Sequence, residues 1–104
     1  MGRIIDTQTQ AGTLQIVLKA KRLDAASARE FKQECETAWS PAVTSVVIDL
    51  GSVDFVDSSG VGALLSLYKK LPPGQASVKL ARLKPTVQSV IELLRLHRIF
   101  EIQA

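Results

Sequence analysis

The hydrophobic positions along this chain change their period several times. The segment from Ile4 to Thr7 can open a short strand, and Ala11-Gly12 supplies a turn. Leu14, Ile16 and Leu18 then alternate with Gln15, Val17 and Lys19. A period of two is strand period, so the two segments are predicted to pair as a hairpin. From Asp24 the period lengthens. Asp24 can cap a helix, because its carboxylate accepts from the first free backbone N–H groups. Ala25, Ala28, Phe31, Cys35 and Ala38 share one helical face, with Arg29, Lys32, Gln33 and Glu36 elsewhere. This amphipathic helix is expected to end near Ser40-Pro41.

Val46, Val47, Ile48 and Leu50 form an apolar run of the kind that suits a strand buried on both faces, as in a parallel sheet. Val53-Asp54-Phe55-Val56 leads on from it. Between Ser58 and Leu71 the apolar positions Val61, Leu64, Leu65 and Tyr68 return to helical spacing. Leu71-Pro72-Pro73-Gly74 stops that helix, since Pro cannot continue it and Gly tolerates the turn. Val78 to Leu83 reads as the next strand. Pro85 suits the first position of a last helix, whose stripe is Val87, Val90, Ile91 and Leu94. Ile99 to Ile102 can form a final strand. Strands and helices alternate after the hairpin, so the expected class is α/β, a mixed sheet of about five strands with crossover helices.

Length and composition narrow the function. The chain has 104 residues, enough for one domain, taken as 1–104. Its net charge is +3, but the basic residues are scattered: Lys19, Lys21 and Arg22; Lys69 and Lys70; Lys79, Arg82 and Lys84. Nucleic-acid binding usually needs a basic stripe or a stacking platform, so no nucleic-acid partner is expected. With Cys35 and His97 as the single cysteine and histidine, neither an internal disulfide nor a metal site is expected, and no cofactor is implied. Met1 to Asp6 lacks the apolar core of a signal peptide, and Asp6 stands where a myristoylation site wants Ser or Thr. No apolar stretch approaches the ~18 residues of a membrane span. The expected location is the cytoplasm, with no membrane partner.

The candidate chemistry lies in Asp57-Ser58-Ser59-Gly60-Val61-Gly62, at the junction of a loop and a helix. Read as structure alone, Asp57 or Ser58 is the helix cap and Gly60 and Gly62 permit close packing. Two glycines in a first helical turn are costly, however, at up to ~1 kcal/mol each against Ala. Ser59, Gly62, Ala63 and Ser66 fall opposite Val61, Leu65 and Tyr68, which predicts an outward patch of small residues that a partner backbone can approach, bordered by Lys69 and Lys70. Other chemistries fit less well. A Ser–His–Asp hydrolase needs His97 beside Ser58 or Ser59, and no Gly-x-Ser-x-Gly elbow exists. Gly60-Val61-Gly62 fails as a dinucleotide loop, because Leu65 stands at the third Gly position. Cys35 reads as packed and Trp39 as core rim.

This segment closely resembles the STAS domains of anti-sigma factor antagonists, in which a strand leads into an Asp-x-Ser-Gly turn, then Leu/Val-Gly and an apolar helix. The resemblance extends along the chain, through the opening hairpin, Leu23-Asp24 with its Ala-rich helix, and Lys84-Pro85 starting the last helix. It differs at Lys21, which stands where the family often has Gly before x-Leu-Asp. The resemblance implies a binding protein that is not an enzyme. Ser58 would be the phosphorylation site, with Ser59 as second candidate. Extending the helical wheel back to Ser58 places it on the apolar side and Ser59 outside, but a capping residue is not helical. The partner surface would comprise Asp24, Asp57, Ser58, Ser59, Gly60, Gly62, Ala63 and Ser66. The implied partners are an anti-sigma factor with a histidine-kinase-like ATPase fold, which is also the serine kinase, and a PP2C-type phosphatase that resets the site. A monomer or weak dimer is expected. The alternative is a STAS adaptor subunit of a lipid-transport ABC complex or signalling assembly.

Overall fold

The computed structural model describes residues 3–72, 74 and 77–103. Strands β1 (Ile5–Gln10) and β2 (Thr13–Leu18) form the expected antiparallel hairpin, with Ile5 opposite Leu18 and Gln10 opposite Thr13. Its tight turn places Ala11 at φ 52° and Gly12 at φ 82°, the double left-handed conformation that matches strand twist. A two-residue strand β3 (Arg22–Leu23) precedes helix α1 (Ala25–Ala38). Then come β4 (Ser45–Asp49), a second two-residue strand β5 (Phe55–Val56) and helix α2 (Ser58–Lys70). Strand β6 (Val78–Ala81), helix α3 (Pro85–Leu93), a 3₁₀ turn (Leu96–Arg98) and β7 (Glu101–Gln103) complete the chain.

The main sheet has five strands in the order β1-β2-β4-β6-β7, parallel from β2 onward. Its core contains Leu14, Ile16 and Leu18 of β2, Val46 and Ile48 of β4, and Val78 and Leu80 of β6. These alternate with less buried positions. The expectation that β4 is buried on both faces is therefore corrected: Val47 is only half-buried, and a shallow depression on that face is lined by Gln15, Val17, Val47, Asp49, Ala81, Arg82 and Gln103. The run Val46-Val47-Ile48 is apolar throughout, so its sequence could not reveal that one face stays open.

Other corrections follow from helix phase. Ala25 is exposed rather than on the core face of α1, whose buried residues are Ala28, Phe31 and Cys35. In α2 the buried seam is Gly60, Val61, Ala63, Leu64 and Leu67, while Leu65 and Tyr68 are half-buried. Ala63, expected in the outward patch, is therefore on the inner side, and Leu67 belongs to the core. The stripe of α3 holds at Val87 and Ile91 but fails at Leu94, 51% exposed, because the helix ends one residue earlier. Strand β6 stops at Ala81, and β7 begins at Glu101. The stop of α2 comes at Leu71, its C-cap; Pro73 lies outside the described residues.

Cys35 is buried, and burial pushes its thiol up to about 12. Trp39 is half-buried at the end of α1, with the Lys70 ammonium 5.3 Å from its ring centroid. The N-terminal strand is fastened to α1 by Glu34, whose carboxylate accepts from the backbone N–H groups of Ile4 (3.1 Å) and Ile5 (3.2 Å).

Candidate functional site

The short strands β3 and β5 build the site. They pair in parallel, with Arg22 opposite Phe55 and Leu23 opposite Val56. Each leads directly into a helix, so the pairing sets the N-termini of α1 and α2 side by side. Asp24 caps α1. Its carboxylate accepts from Ser27 N–H at 3.2 Å while the Ser27 hydroxyl accepts from Asp24 N–H at 3.0 Å, a reciprocal capping box. The Ser27 backbone bond, followed by the Arg22 guanidinium at 3.2 Å, holds the Asp24 carboxyl below its usual range. Asp57 caps α2, accepting from Gly60 N–H at 3.0 Å. Asp24 and Asp57 are thus occupied by local backbone, and capping is their first role.

Gly60 explains why the two caps can lie so close. A Cβ there would fall 2.2 Å from the Leu23 carbonyl oxygen and 2.9 Å from Leu23 Cγ. That same carbonyl accepts from Asp57 N–H at 3.3 Å. Only a residue without a side chain lets the first turn of α2 sit on β3. Gly60 is buried and serves this contact, which corrects its placement on the exposed partner surface. Gly62 is different: a Cβ there would meet nothing within 4 Å.

Ser58 is the first residue of α2 and is exposed, as is Ser59. The helical-wheel placement of Ser58 on the apolar side is corrected, because the buried seam begins only at Gly60. Ser59 and Gly62 face a shallow groove of about 470 Å³ between α1 and α2, lined also by Ala63, Ala28, Arg29, Lys32 and Gln33. Ala63 forms part of this lining despite its burial. Ser66 does not reach it; its hydroxyl donates to the Ala63 carbonyl at 2.6 Å. The border expected from Lys69 and Lys70 is supplied instead by Arg29 and Lys32, with Lys70 paired to Glu36.

The structure brings together Asp24, Asp57, Ser58, Ser59 and Gly62. Sequence reasoning missed the α1 side of the groove and the stack of Arg22 over Phe55, whose ring centroid lies 4.4 Å from the guanidinium carbon. Phe55 is 41% exposed; in the sequence the one available signal was an aromatic three residues before Ser58. Asp54 is paired with Lys84, whose hydrogen bond lowers the Asp54 carboxyl. His97 lies in the 3₁₀ turn Leu96–Arg98, on a different element from this cluster. The N-terminal end of α3 is tied to it, through the Thr86 hydroxyl on the Asp54 carbonyl at 3.1 Å, and His97 follows the other end.

A mixed sheet, two helix starts locked by a short parallel pair, and an exposed serine in the first turn define a STAS-type binding module. The chain belongs to the STAS domain family, which matches residues 5–104. It is similar to BtrV of Bordetella bronchiseptica, assigned as an anti-sigma factor antagonist, with 30% identity over 80 residues that cover 77% of this chain and 69% of that one. Among solved structures it resembles an anti-sigma factor antagonist (STAS) domain protein from Planctomyces limnophilus, with TM-score 0.84, 21% identity, and coverage of 96% of this chain and 88% of that one. It also resembles Bacillus SpoIIAA, an anti-sigma factor antagonist, in its unphosphorylated form, with TM-score 0.78, 24% identity, and coverage of 96% and 88%.

Proposed function

We propose that this chain is an anti-sigma factor antagonist switched by phosphorylation of Ser58. The observation that carries the reading is the position of Ser58: exposed, first in α2, and outside the packed seam. The partner is an anti-sigma factor with a histidine-kinase-like ATPase fold, acting in the cytoplasm where ATP is available. It binds the unmodified chain and gives up its own target. As a kinase it transfers the γ-phosphoryl group of ATP to Ser58 Oγ, leaving ADP, and the hydroxyl proton passes to a base of the kinase. A PP2C-type phosphatase hydrolyses the ester. The chain is the substrate and supplies no catalytic group.

The physics of the site suits a binder that can be turned off without unfolding. A phosphoserine carries roughly −1.5 to −2 charge. The free N–H groups and dipole at the start of α2 offset up to ~2 kcal/mol of its cost to the fold. A partner covering the site would bury that charge together with Asp57. An uncompensated buried charge costs roughly 2–5 kcal/mol at an interface, equivalent to tens- to thousands-fold in affinity. Asp24, Ser59 and Gly62 complete the contact surface, with Ala63 as the buried floor of the groove that gives a partner backbone close access at Gly62. Gly60 and Ser66 act through packing.

Affinity capture with mass spectrometry, using the native chain, Ser58→Ala and Ser58→Asp, tests the reading. The native and Ala forms are expected to retain the kinase, and Ser58→Asp to lose it with an unchanged circular dichroism spectrum. Equal retention by all three rejects the switch and fits a constitutive STAS adaptor instead.

A further inference from the structure

We propose that Arg22 is the chain's own ligand for a phosphoryl group on Ser58, leaving Asp24 and Phe55 to close on the phosphate. The inference rests on Ser58 as the modified residue and adds the response of the fold to that modification.

The geometry puts Arg22 within reach. Arg22 and Phe55 are register partners in the β3–β5 pair. Neighbouring strands lie ~4.8 Å apart and advance ~3.3 Å per residue. The Arg22 Nε lies 3.2 Å from the Asp24 carboxylate, two residues further along the chain. The register of β3 and β5, carried on by one residue, sets Asp24 level with Asp57, and Ser58 comes next. The guanidinium thus lies over Phe55, three residues before Ser58 on the strand that leads into α2. It is not held there tightly: the side chain is 62% exposed, and its contacts are one carboxylate and one aromatic face.

A phosphate on Ser58 changes that balance. It brings up to two negative charges and three acceptor oxygens, whereas Asp24 offers one charge already shared with Ser27 N–H. A planar guanidinium binds phosphate through two parallel hydrogen bonds, which a carboxylate engaged in capping cannot match. Other charged groups near the site compete less well. Lys84 is paired with Asp54, Asp57 repels the phosphate, Lys21 precedes the strand pair, and Arg29 lies in the α1–α2 groove on the side of Ser59. When Arg22 moves, the half-exposed Phe55 ring loses its cover and Asp24 loses its cation. The modification then alters the docking face at three points instead of one.

The test uses the full chain with phosphoserine placed at position 58 during translation. Phosphorus NMR follows the second ionisation of the phosphate in the Arg22 chain and in Arg22→Gln, Arg22→Lys and Arg29→Gln. With Arg22 present the dianion is expected to be favoured by about threefold or more, an effect lost in Arg22→Gln, reduced in Arg22→Lys and kept in Arg29→Gln. The Arg22 Nε–H resonance should shift with the same midpoint. Coincident titration of the native and Arg22→Gln chains overturns the proposal, as does a loss seen with Arg29→Gln instead. Because the phosphate is placed by translation, these titrations report even if no kinase acts on Ser58, so failure of the switch and failure of the Arg22 assignment are read separately.

Discussion

Gly60 and Gly62 are two residues apart in one helix, yet the structure gives them opposite roles. A Cβ at Gly60 lands 2.2 Å from the Leu23 carbonyl oxygen, a backbone atom that cannot rotate away. To admit Ala there, α2 must withdraw from β3 and stretch the Asp57 N–H bond to that oxygen. Overpacking of this kind costs about 1–3 kcal/mol, and a backbone contact belongs at the upper end. Ala gains up to ~1 kcal/mol over Gly in a helix, so the net loss for Gly60→Ala is about 2 kcal/mol. At Gly62 the added methyl meets nothing within 4 Å, and Ala should return the helical preference, a gain of roughly 0.5–1 kcal/mol. Urea unfolding followed by circular dichroism reads both. With a slope of ~1–3 kcal/mol/M, the Gly60→Ala midpoint should fall by about 1 M and the Gly62→Ala midpoint should rise by a few tenths. A Gly60→Ala chain as stable as the native one would refute the packing argument, and so would a Gly62→Ala chain that is destabilised. A stabilised Gly62→Ala that binds its partner more weakly would assign this glycine to the groove rather than to the fold.

Three further outcomes are expected. Ala11→Asn should raise the melting temperature, because Ala11 sits at φ 52° before Gly12 and Asn-Gly is the favoured pair for this turn; the left-handed penalty it relieves is about 1 kcal/mol, and an unchanged melting temperature would count against that turn. The Cys35 thiol, pushed up to about 12 by burial, should resist a thiol reagent at pH 8 in the folded chain and react at once in denaturant; rapid labelling of the folded chain would show that α1 does not bury it. Asp24 and Asp54 both have carboxyls lowered from the ordinary 3.8. Their stabilisation is therefore complete above about pH 4 and lost as pH falls through their folded values. Asp24→Asn and Asp54→Asn should flatten the acid limb of a stability–pH curve below pH 4 and leave its neutral limb unchanged in slope, which denaturant melts across pH would show.

Much of this protein was written in local pattern. The hairpin, the three helices, the cap at Asp24 and the loop-to-helix junction at Asp57-Ser58 each follow from residues within a few positions of one another, where backbone propensity, turn chemistry and apolar period act. Which face of each element is covered did not follow. Val46-Val47-Ile48 looks the same whether one face or both are buried, and Ala63 and Leu67 could be phased only once α1 lay beside α2. The two-residue strands β3 and β5 are too short to carry a period at all. They exist because Leu23 and Val56 bury together, 33 residues apart in sequence, and a pairing over that distance is set by the packing of the whole core. The sequence therefore singled out Ser58 as the candidate. Only the tertiary structure decided what stands around it, since β3 and the α1 wall of the groove come to the start of α2 through space and not along the chain.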